Sequence, residues 1–213
     1  MVNAGRIWRN ILGLKASPAE FVGYENLVRF IREQALLELE GDLIEIGAYM
    51  GGGTVKLARL ARRHGKKLYV IDTFDPASDK AISKSAVSAT EVYRAFLEGR
   101  SMWEVYREAT RRFRNIITII EDSRKVMFDE EKKFAFGFVD GCHEKACVEN
   151  DFYLIWGHLV PGGVAGFHDY KYDDWPDVTE ALDGLMDKHK DEIRETHEIV
   201  GSYGISSILL TKK

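Results

Sequence analysis

Cysteine and proline are both scarce in this sequence, which excludes several kinds of scaffold. The 213 residues include only four prolines and two cysteines, Cys142 and Cys147. The spacing of the two cysteines matches no zinc-binding pattern, and two cysteines cannot build the dense bridging of small secreted domains. We therefore expect no disulfide scaffold, and the low cysteine content favours a reducing, cytoplasmic environment.

Long apolar runs and an excess of basic residues are also missing. No stretch approaches the roughly 20 apolar residues that cross a bilayer. The early segment "RIWRNILGLK" lacks the continuous apolar core and the cleavage site of a signal peptide. The net charge of −4 gives no general nucleic-acid surface. We therefore expect neither nucleic acid nor membrane as a partner.

Short apolar runs alternate with helical segments along most of the chain. Residues 1–40 are predicted to form an N-terminal helical arm and a helix, and residues 41–213 one domain. Strands are predicted at 43–47, 67–72, 115–122, 135–141 and 163–169. Strand alternating with helix predicts a doubly wound α/β fold, in which a mostly parallel sheet is covered on both faces.

Two segments depart from this alternation. In "ETHEIVGSYGISSILLTKK", two apolar runs are separated only by "GSYG", so we expect an antiparallel hairpin at the end of the sheet. Residues 73–100 form a long connection between the second and third strands. A connection of this length is typical of a binding loop or lid, or of local disorder.

The first strand runs directly into a glycine-rich turn, "GDLIEIGAYMGGGT" (41–54). Glycine in the first strand–helix turn lets the backbone approach a ligand, and the following helix offers its positive N-terminus. Asp72 ends the second strand, where an acid can accept hydrogen bonds from ribose hydroxyl groups. Tight packing alone would account for Gly47 but not for three consecutive glycines. The glycine turn and Asp72 together predict a cofactor that contains a nucleoside.

The spacing of the glycines narrows the choice of cofactor. G-x-x-x-G-G-G differs from the dinucleotide fingerprint G-x-G-x-x-G, and the P-loop lysine is missing. Glu45 would repel a pyrophosphate but suits the cationic amino-acid end of S-adenosylmethionine. We therefore favour S-adenosylmethionine, with a nicotinamide cofactor as the alternative.

The sequence resembles the class I S-adenosylmethionine-dependent methyltransferases, and it is most similar to the group of macrocin O-methyltransferases and cephalosporin-hydroxylase-like proteins. The resemblance runs from about residue 40 to the end, on "GDLIEIGAYMGGGT", "YVIDTFDP", "EDS", "FGFVDGCHEKACVENDFYLIWGHLVPGGVAGFHDY" and the terminal hairpin. It implies a seven-stranded sheet whose last strand is antiparallel, and it places Asp122 and Ser123 near the adenine. The cofactor residues predicted in all are Glu45, Gly47, Ala48, Tyr49, Gly51, Gly53, Asp72, Thr73, Asp122, Ser123 and Asp140.

Four polar residues follow two predicted neighbouring strands. Asp140 and His143 lie beyond the fourth strand, and His168 and Asp169 end the fifth. In one hypothesis, Asp140, His168 and Asp169 bind a divalent metal, Mg²⁺ or Mn²⁺, that lowers the pKa of the substrate hydroxyl group. The resemblance supports this hypothesis, although a histidine ligand suits manganese, iron or zinc better than magnesium. In the other, His143 or His168 is the general base, oriented by Asp140 or Asp169. The same residues could instead cap helices and support loops.

Together these features predict an O-methyltransferase that acts on a small polar hydroxyl compound such as a glycosyl group. The aromatic and acidic loop at 170–175 is either a wall of the acceptor pocket or a loop packed on itself. Cys142 is expected to be a small, partly buried residue without a chemical role. The alternatives are an NAD-dependent oxidoreductase and a non-catalytic cofactor-binding subunit. A homodimer through the N-terminal helices is a further expectation.

Overall fold

The structure is a computed structural model that describes residues 23–201 and 204–213. Most of the predicted N-terminal arm, including "RIWRNILGLK", lies outside the described residues, and so does part of the "GSYG" link. None of the helices in the described part of the chain has the length and the apolar content needed to cross a membrane.

Strands and helices alternate along the described chain as the sequence predicts. The strands are β1 (Asp42–Ile46), β2 (Leu68–Asp72), β3 (Ile116–Ile120), β4 (Phe134–Val139), β5 (Leu159–Tyr170), β6 (Ile193–Val200) and β7 (Ser206–Lys212). The α-helices are α1 (Tyr24–Glu33), α2 (Gly52–Arg63), α3 (Ala89–Leu97), α4 (Met102–Thr110), α5 (Lys145–Trp156) and α6 (Pro176–Lys188). Short 3-10 turns lie at Leu36–Glu38 and Ser123–Lys125.

The seven strands form one sheet in the order β3-β2-β1-β4-β5-β7-β6. Strands β1 to β5 pair in parallel, whereas β7 is antiparallel to both β5 and β6. The strand order reverses between β1 and β4, which is where open α/β sheets bind their ligands. The predicted doubly wound fold with its antiparallel hairpin is confirmed. Strand β5 begins earlier than predicted, because the "PGG" segment continues the strand.

Each face of the sheet has its own apolar core. Alternate side chains of β1 point to opposite faces: Leu43 joins the core under α1, α2 and α4, and Ile44 joins the core under α5 and α6. Because Glu45 follows Ile44, the same alternation points its side chain toward the face that α1 and α2 cover. The pleat of β1 therefore buries an acid under α1.

The long connection after β2 is partly helical. Residues 89–97 form α3, whose first turn has a capping box between Ser88 and Glu91. Helix α4 follows, and its Tyr106 is only 1% exposed in the core. The irregular part of the connection, residues 73–88, reaches back over the carboxyl ends of the strands.

Candidate active site

A cavity of about 450 Å³ opens at the carboxyl ends of the parallel strands. Its wall combines the glycine turn after β1, the ends of β2, β4 and β5, and parts of the connection after β2. The predicted cofactor residues found on the wall are Gly47, Tyr49, Asp72, Thr73, Asp122, Ser123 and Asp140. The predicted residues that are not part of the wall are Glu45, Ala48, Gly51 and Gly53.

No residue with a side chain fits at position 47, which lies where the strand order of the sheet reverses. Its φ is +85°, and a Cβ atom there would lie 2.0 Å from the carbonyl oxygen of Asp140. The Gly47 N–H donates to the carbonyl of Ile71 at 2.9 Å, and the Asp140 N–H donates to the carbonyl of Ile46 at 2.8 Å. The glycine turn is thereby fixed between β2 and β4, with its backbone at the cavity.

Asp72 ties the glycine turn to the connection after β2. Its Oδ2 accepts hydrogen bonds from the backbone N–H groups of Ala48 (2.7 Å) and Tyr49 (2.9 Å), and its Oδ1 accepts one from Phe74 (2.6 Å). Burial raises the pKa of Asp72 in spite of these three hydrogen bonds. Tyr49 and Phe74 both have positive φ, at 50° and 52°. The carboxyl group is thus fixed at the edge of the cavity, and two of the residues that hydrogen-bond to it have a strained backbone conformation.

Glu45 faces the protein interior rather than the cavity. Its side chain is fully buried and accepts hydrogen bonds from the hydroxyl groups of Tyr24 (2.9 Å) and Thr54. Burial raises the pKa of Glu45 to about 8. The carboxyl oxygens of Glu45 thus bond to α1 and α2 and are not part of the cavity wall, and a role of Glu45 in holding the cofactor stays a prediction.

Gly53 also serves the packing of α1. A Cβ atom at this position would lie 2.0 Å from Cζ of Tyr24. Packing against an aromatic ring thus accounts for the last glycine of the run, which the sequence alone did not indicate. Tyr24 precedes the run by almost thirty positions, and no local signal in the sequence links them.

The end of the cavity beside β3 holds the residues predicted for the adenine. Asp122 accepts hydrogen bonds from the backbone and the guanidinium group of Arg124, which hold the pKa of Asp122 below its usual range. Ser123 lies beside it on the wall. Asp151 of α5 was missed by the sequence analysis. It is buried next to Ser123, and burial raises its pKa to about 6.

Asp140, His168 and Asp169 meet as predicted at the ends of β4 and β5. Nδ1 of His168 lies 3.1 Å from a carboxylate oxygen of Asp140 and 3.1 Å from one of Asp169. Neither contact has hydrogen-bond geometry, and neither ring nitrogen of this buried histidine has a hydrogen-bond partner within the described residues. Potential ligand atoms of the three residues all lie within 4.8 Å of one another.

This donor set fits a divalent cation. It offers two carboxylates and an imidazole whose buried nitrogens lack partners, a combination suited to Mn²⁺, Fe²⁺ or Zn²⁺. Burial lowers the pKa of His168, but Asp140 and Asp169 outweigh it and raise the pKa to about 10. A cation bound here would have to displace any proton on the ligating nitrogen of His168.

His143 lies between two carboxylates. Its Nδ1 is 2.8 Å from Oδ2 of Asp79, its Nε2 is 3.1 Å from Oδ2 of Asp169, and its ring stacks on Trp175 with the centroids 4.2 Å apart. Burial lowers the pKa of His143, but the two hydrogen-bonded carboxylates raise it to about 9. Both nitrogens must carry a proton to donate to both acids. The geometry therefore favours a positioning cation over a general base at His143.

Asp79 is the partner of His143 that the sequence analysis missed. It lies in the connection after β2, 64 positions before His143, and it also accepts a hydrogen bond from the hydroxyl group of Tyr93 at 3.2 Å. Asp169, on the other side of His143, has a positive φ of 60°. The hydrogen bonds of His143 thus join the connection to the strained end of β5.

The two cysteines form a disulfide, contrary to the expectation from the sequence. Cys142 follows β4, Cys147 lies in the first turn of α5, and their Cα atoms are 5.9 Å apart. That separation suits a disulfide, and the turn after β4 brings the two residues together. Both residues line the cavity, so Cys142 is part of the site rather than a small residue without a role.

Part of the loop after β5 forms a wall of the cavity and part of it packs on the protein, so each of the two predicted roles applies to some of its residues. Tyr172, Asp174 and Trp175 line the cavity, whereas the hydroxyl group of Tyr170 donates to Asp183. Oδ1 of Asp174 accepts hydrogen bonds from the backbone N–H (3.1 Å) and the hydroxyl group (2.7 Å) of Ser85. The loop and the connection after β2 thus enclose one side of the cavity, which we call the acceptor end.

The fold is similar to that of several solved proteins, three of which are named O-methyltransferases. The O-methyltransferase NovP is similar with a TM-score of 0.61 and 16% identity, over 89% of this chain and 79% of that one. CalS11, a TDP-rhamnose 3'-O-methyltransferase of calicheamicin biosynthesis, gives a TM-score of 0.63 and 14% identity, over 97% and 86%. TomG from Streptomyces achromogenes, solved with S-adenosylmethionine, gives 0.55 and 14%, over 99% and 97%.

Comparison by sequence identifies the family. No curated protein matches the chain. A family model described as "Methyltransferase domain" matches residues 44–170, which extend from β1 through the end of β5 and include the glycine turn and the Asp140, His168 and Asp169 cluster. This match covers more than half of the chain and agrees with the resemblance in the sequence. The chain therefore belongs to the methyltransferase domain family.

Proposed function

We propose that the protein is an S-adenosylmethionine-dependent O-methyltransferase whose acceptor is a small polar hydroxyl compound such as a glycosyl group. One observation carries the proposal: a single cavity contains both the Asp72 end, which suits a nucleoside, and the Asp140, His168 and Asp169 cluster. A cofactor and an acceptor oxygen can therefore meet in that cavity. The names of NovP and CalS11, which are O-methyltransferases, support the choice of oxygen as the methylated atom.

The cofactor would lie along the carboxyl ends of β1, β2 and β3. Asp72 would accept hydrogen bonds from the ribose hydroxyl groups, and Asp122 and Ser123 would lie beside the adenine. The backbone at Gly47 would face the amino-acid portion. S-adenosylmethionine supplies an electrophilic methyl group on a cationic sulfur, and the acidic wall of the cavity favours that charge.

Methyl transfer is an in-line displacement in which the acceptor oxygen bonds the methyl carbon as the carbon–sulfur bond breaks. The products are a methyl ether and S-adenosylhomocysteine, and the hydroxyl proton would pass to a carboxylate at this end of the cavity. Asp140 has the most exposed side chain of the three cluster residues, at 26%, so its carboxylate is the one most accessible to the acceptor hydroxyl group. The protein's contribution is to orient that oxygen and to favour loss of its proton.

Asp140, His168 and Asp169 would hold a divalent cation, Mn²⁺ or Mg²⁺. Such a cation would lower the pKa of a hydroxyl group bound to it. His143 would keep Asp169 in place from the other side through its 3.1 Å hydrogen bond. Between the two hypotheses from the sequence, the cluster favours a metal over an imidazole base, since carboxylates raise the pKa of His143 to about 9 and that of His168 to about 10.

Calorimetric titration with S-adenosylhomocysteine tests the cofactor part of the proposal. We expect saturable binding that Asp72→Asn weakens by about tenfold or more, because the carboxylate loses its charge and an acceptor. Asp187→Asn, at a side chain that is 84% exposed, is the matched control and should bind like the wild type. Absence of binding by the wild-type protein, or equal affinity of the two variants, would contradict the proposal.

We also propose a cytoplasmic location and a homodimer, both of which rest on the sequence. The low cysteine content supports the first, and the Cys142–Cys147 disulfide is the observation that opposes it. The redox state of the two thiols in freshly lysed cells tests the location. Sedimentation equilibrium of the full chain, compared with a chain that lacks residues 1–22, tests a dimer through the N-terminal segment.

A further inference from the structure

We propose that the acceptor is a hydroxyl compound that carries an ammonium group, such as an amino sugar, and not a phosphorylated or nucleotide-linked sugar. This inference rests on the proposed function and specifies the substrate class.

The cavity wall has acidic residues on every side but almost no basic ones. Arg124 is the only lysine or arginine on the wall in the part of the chain that the structure describes. Its guanidinium group is bound to Asp122, with the shortest hydrogen bond at 2.6 Å. Among residues 23–201 and 204–213, a phosphate that entered the cavity would therefore find no basic side chain on the wall available for an ion pair.

Arg124 is also at the wrong end of the cavity for an acceptor. It follows β3, whereas Asp174 and Trp175 follow β5, and three strands separate β3 from β5 in the sheet. At about 4.8 Å per strand, the two ends are roughly 19 Å apart. The basic residue thus belongs to the cofactor end.

Asp174 presents a negative charge that its neighbours do not neutralise. Its side chain accepts hydrogen bonds from Ser85 and from the hydroxyl group of Tyr172 at 3.2 Å, and all of these donors are neutral. The hydrogen bonds from Ser85 lower the pKa of Asp174, and Lys84 lowers it further without a salt bridge between the two in the described part of the chain. A cationic ligand group would be favoured beside this carboxylate.

Aromatic rings complete the acceptor end. Tyr172 and Trp175 share the wall with Asp174, and Tyr93 is also part of the wall, with its hydroxyl group on Asp79. Ring faces attract an ammonium group and also pack on the apolar face of a sugar ring. Carboxylates and aromatic rings without a lysine or arginine are the combination that recognises amines.

The two histidines at this end are paired with carboxylates of the protein. His143 contacts Asp79 and Asp169, and His168 lies 3.1 Å from both Asp140 and Asp169. Neither ring therefore offers an unopposed positive charge to an anionic acceptor. The acceptor end keeps a net attraction for cations.

Calorimetry on the protein saturated with S-adenosylhomocysteine tests the inference with matched sugars: glucosamine, its neutral analogue N-acetylglucosamine, the anionic glucose 6-phosphate, and TDP-glucose. We expect glucosamine to bind at least about tenfold more tightly than the other three. Added salt should weaken only the glucosamine complex. The titrations are repeated with MnCl₂, because a bound cation could itself attract a phosphate.

Two neighbouring acids provide the variant and its control. Asp174→Asn keeps an oxygen acceptor for Ser85, and we expect it to weaken glucosamine about tenfold with unchanged affinity for S-adenosylhomocysteine. Asp173→Asn, at an exposed acid outside the cavity wall, should leave both affinities unchanged.

Three results would overturn the inference: no detectable glucosamine binding, tighter or equal binding of glucose 6-phosphate or TDP-glucose with or without Mn²⁺, or equal behaviour of the two variants. Failure of S-adenosylhomocysteine to bind at all would instead count against the proposed function. Failure of the inference and failure of the proposed function are therefore distinguishable.

Discussion

The hydroxyl group of Tyr24 donates a 2.9 Å hydrogen bond to Oε1 of Glu45, and the two side chains are buried together at 6% and 0% exposure. Tyr24 begins α1 and Glu45 lies in β1, so this contact joins the helix to the centre of the sheet. The hydroxyl group of Thr54 bonds the other carboxyl oxygen. The acid beside the glycine turn is therefore a buried group that joins α1 and α2 to the sheet.

Glu45 should make the stability of the protein fall as the pH rises. Its pKa is raised from 4.5 to about 8, so between these values the folded protein holds a proton that the unfolded chain releases. Across that pH window, this one group should lower the free energy of unfolding by about 1 kcal/mol for each unit by which the pH rises. Urea unfolding at several pH values, compared between wild type and Glu45→Gln, isolates the effect because the amide of the variant cannot ionise. Glu130→Gln, at an exposed acid, should follow the wild-type curve. Parallel curves for wild type and Glu45→Gln would show that Glu45 ionises normally.

Gly53→Ala should destabilise the protein by about 1–3 kcal/mol, because the new methyl group would overlap the ring of Tyr24. Gly184→Ala is the matched control: it lies in α6 with no atom within 4 Å of the added Cβ, so it should stabilise by roughly 0.5–1 kcal/mol. In a Tyr24→Ala background the penalty at Gly53 should vanish. Chemical denaturation of the four variants measures this coupling, and a penalty that persists without Tyr24 would refute the proposed clash.

Reduction of the Cys142–Cys147 disulfide should lower the free energy of unfolding by about 2 kcal/mol, since it closes only a short loop. Thiol titration of the denatured protein should find no free cysteine until a dithiol reductant is added. The double variant Cys142→Ser/Cys147→Ser should be insensitive to the reductant. Free thiols in protein purified without reductant would show that the bridge does not form.

Mn²⁺ should bind at the cluster of Asp140, His168 and Asp169, and its affinity should rise with pH. The metal must displace the proton of His168, whose pKa is raised to about 10, so binding strengthens as the pH approaches that value. Calorimetry should show Asp169→Asn and His168→Ala weakened by about tenfold or more. Asp177→Asn, at an exposed acid of α6, is the control. Wild-type affinity in both cluster variants would place the metal elsewhere.

Much of the fold follows from local patterns. Strand and helix periods, the short link before β7 and the glycine at position 47 each depend on neighbouring residues, so each could be predicted. The cluster of Asp140, His168 and Asp169 could also be predicted, because carboxyl ends of adjacent parallel strands meet at one edge. In all these cases, a residue's position in its element determines where its side chain lies.

The contacts that decide individual roles are long-range. Tyr24 fills the space beside Gly53, and Asp79 reaches His143 from 64 positions away. The turn after β4 brings Cys142 and Cys147 into a bond that composition argued against. The sequence by itself determined the succession of strands and helices and the edge of the sheet at which the polar site residues meet. Only the tertiary structure decided which acids face the cavity and which are buried, because that depends on packing between segments far apart in the chain.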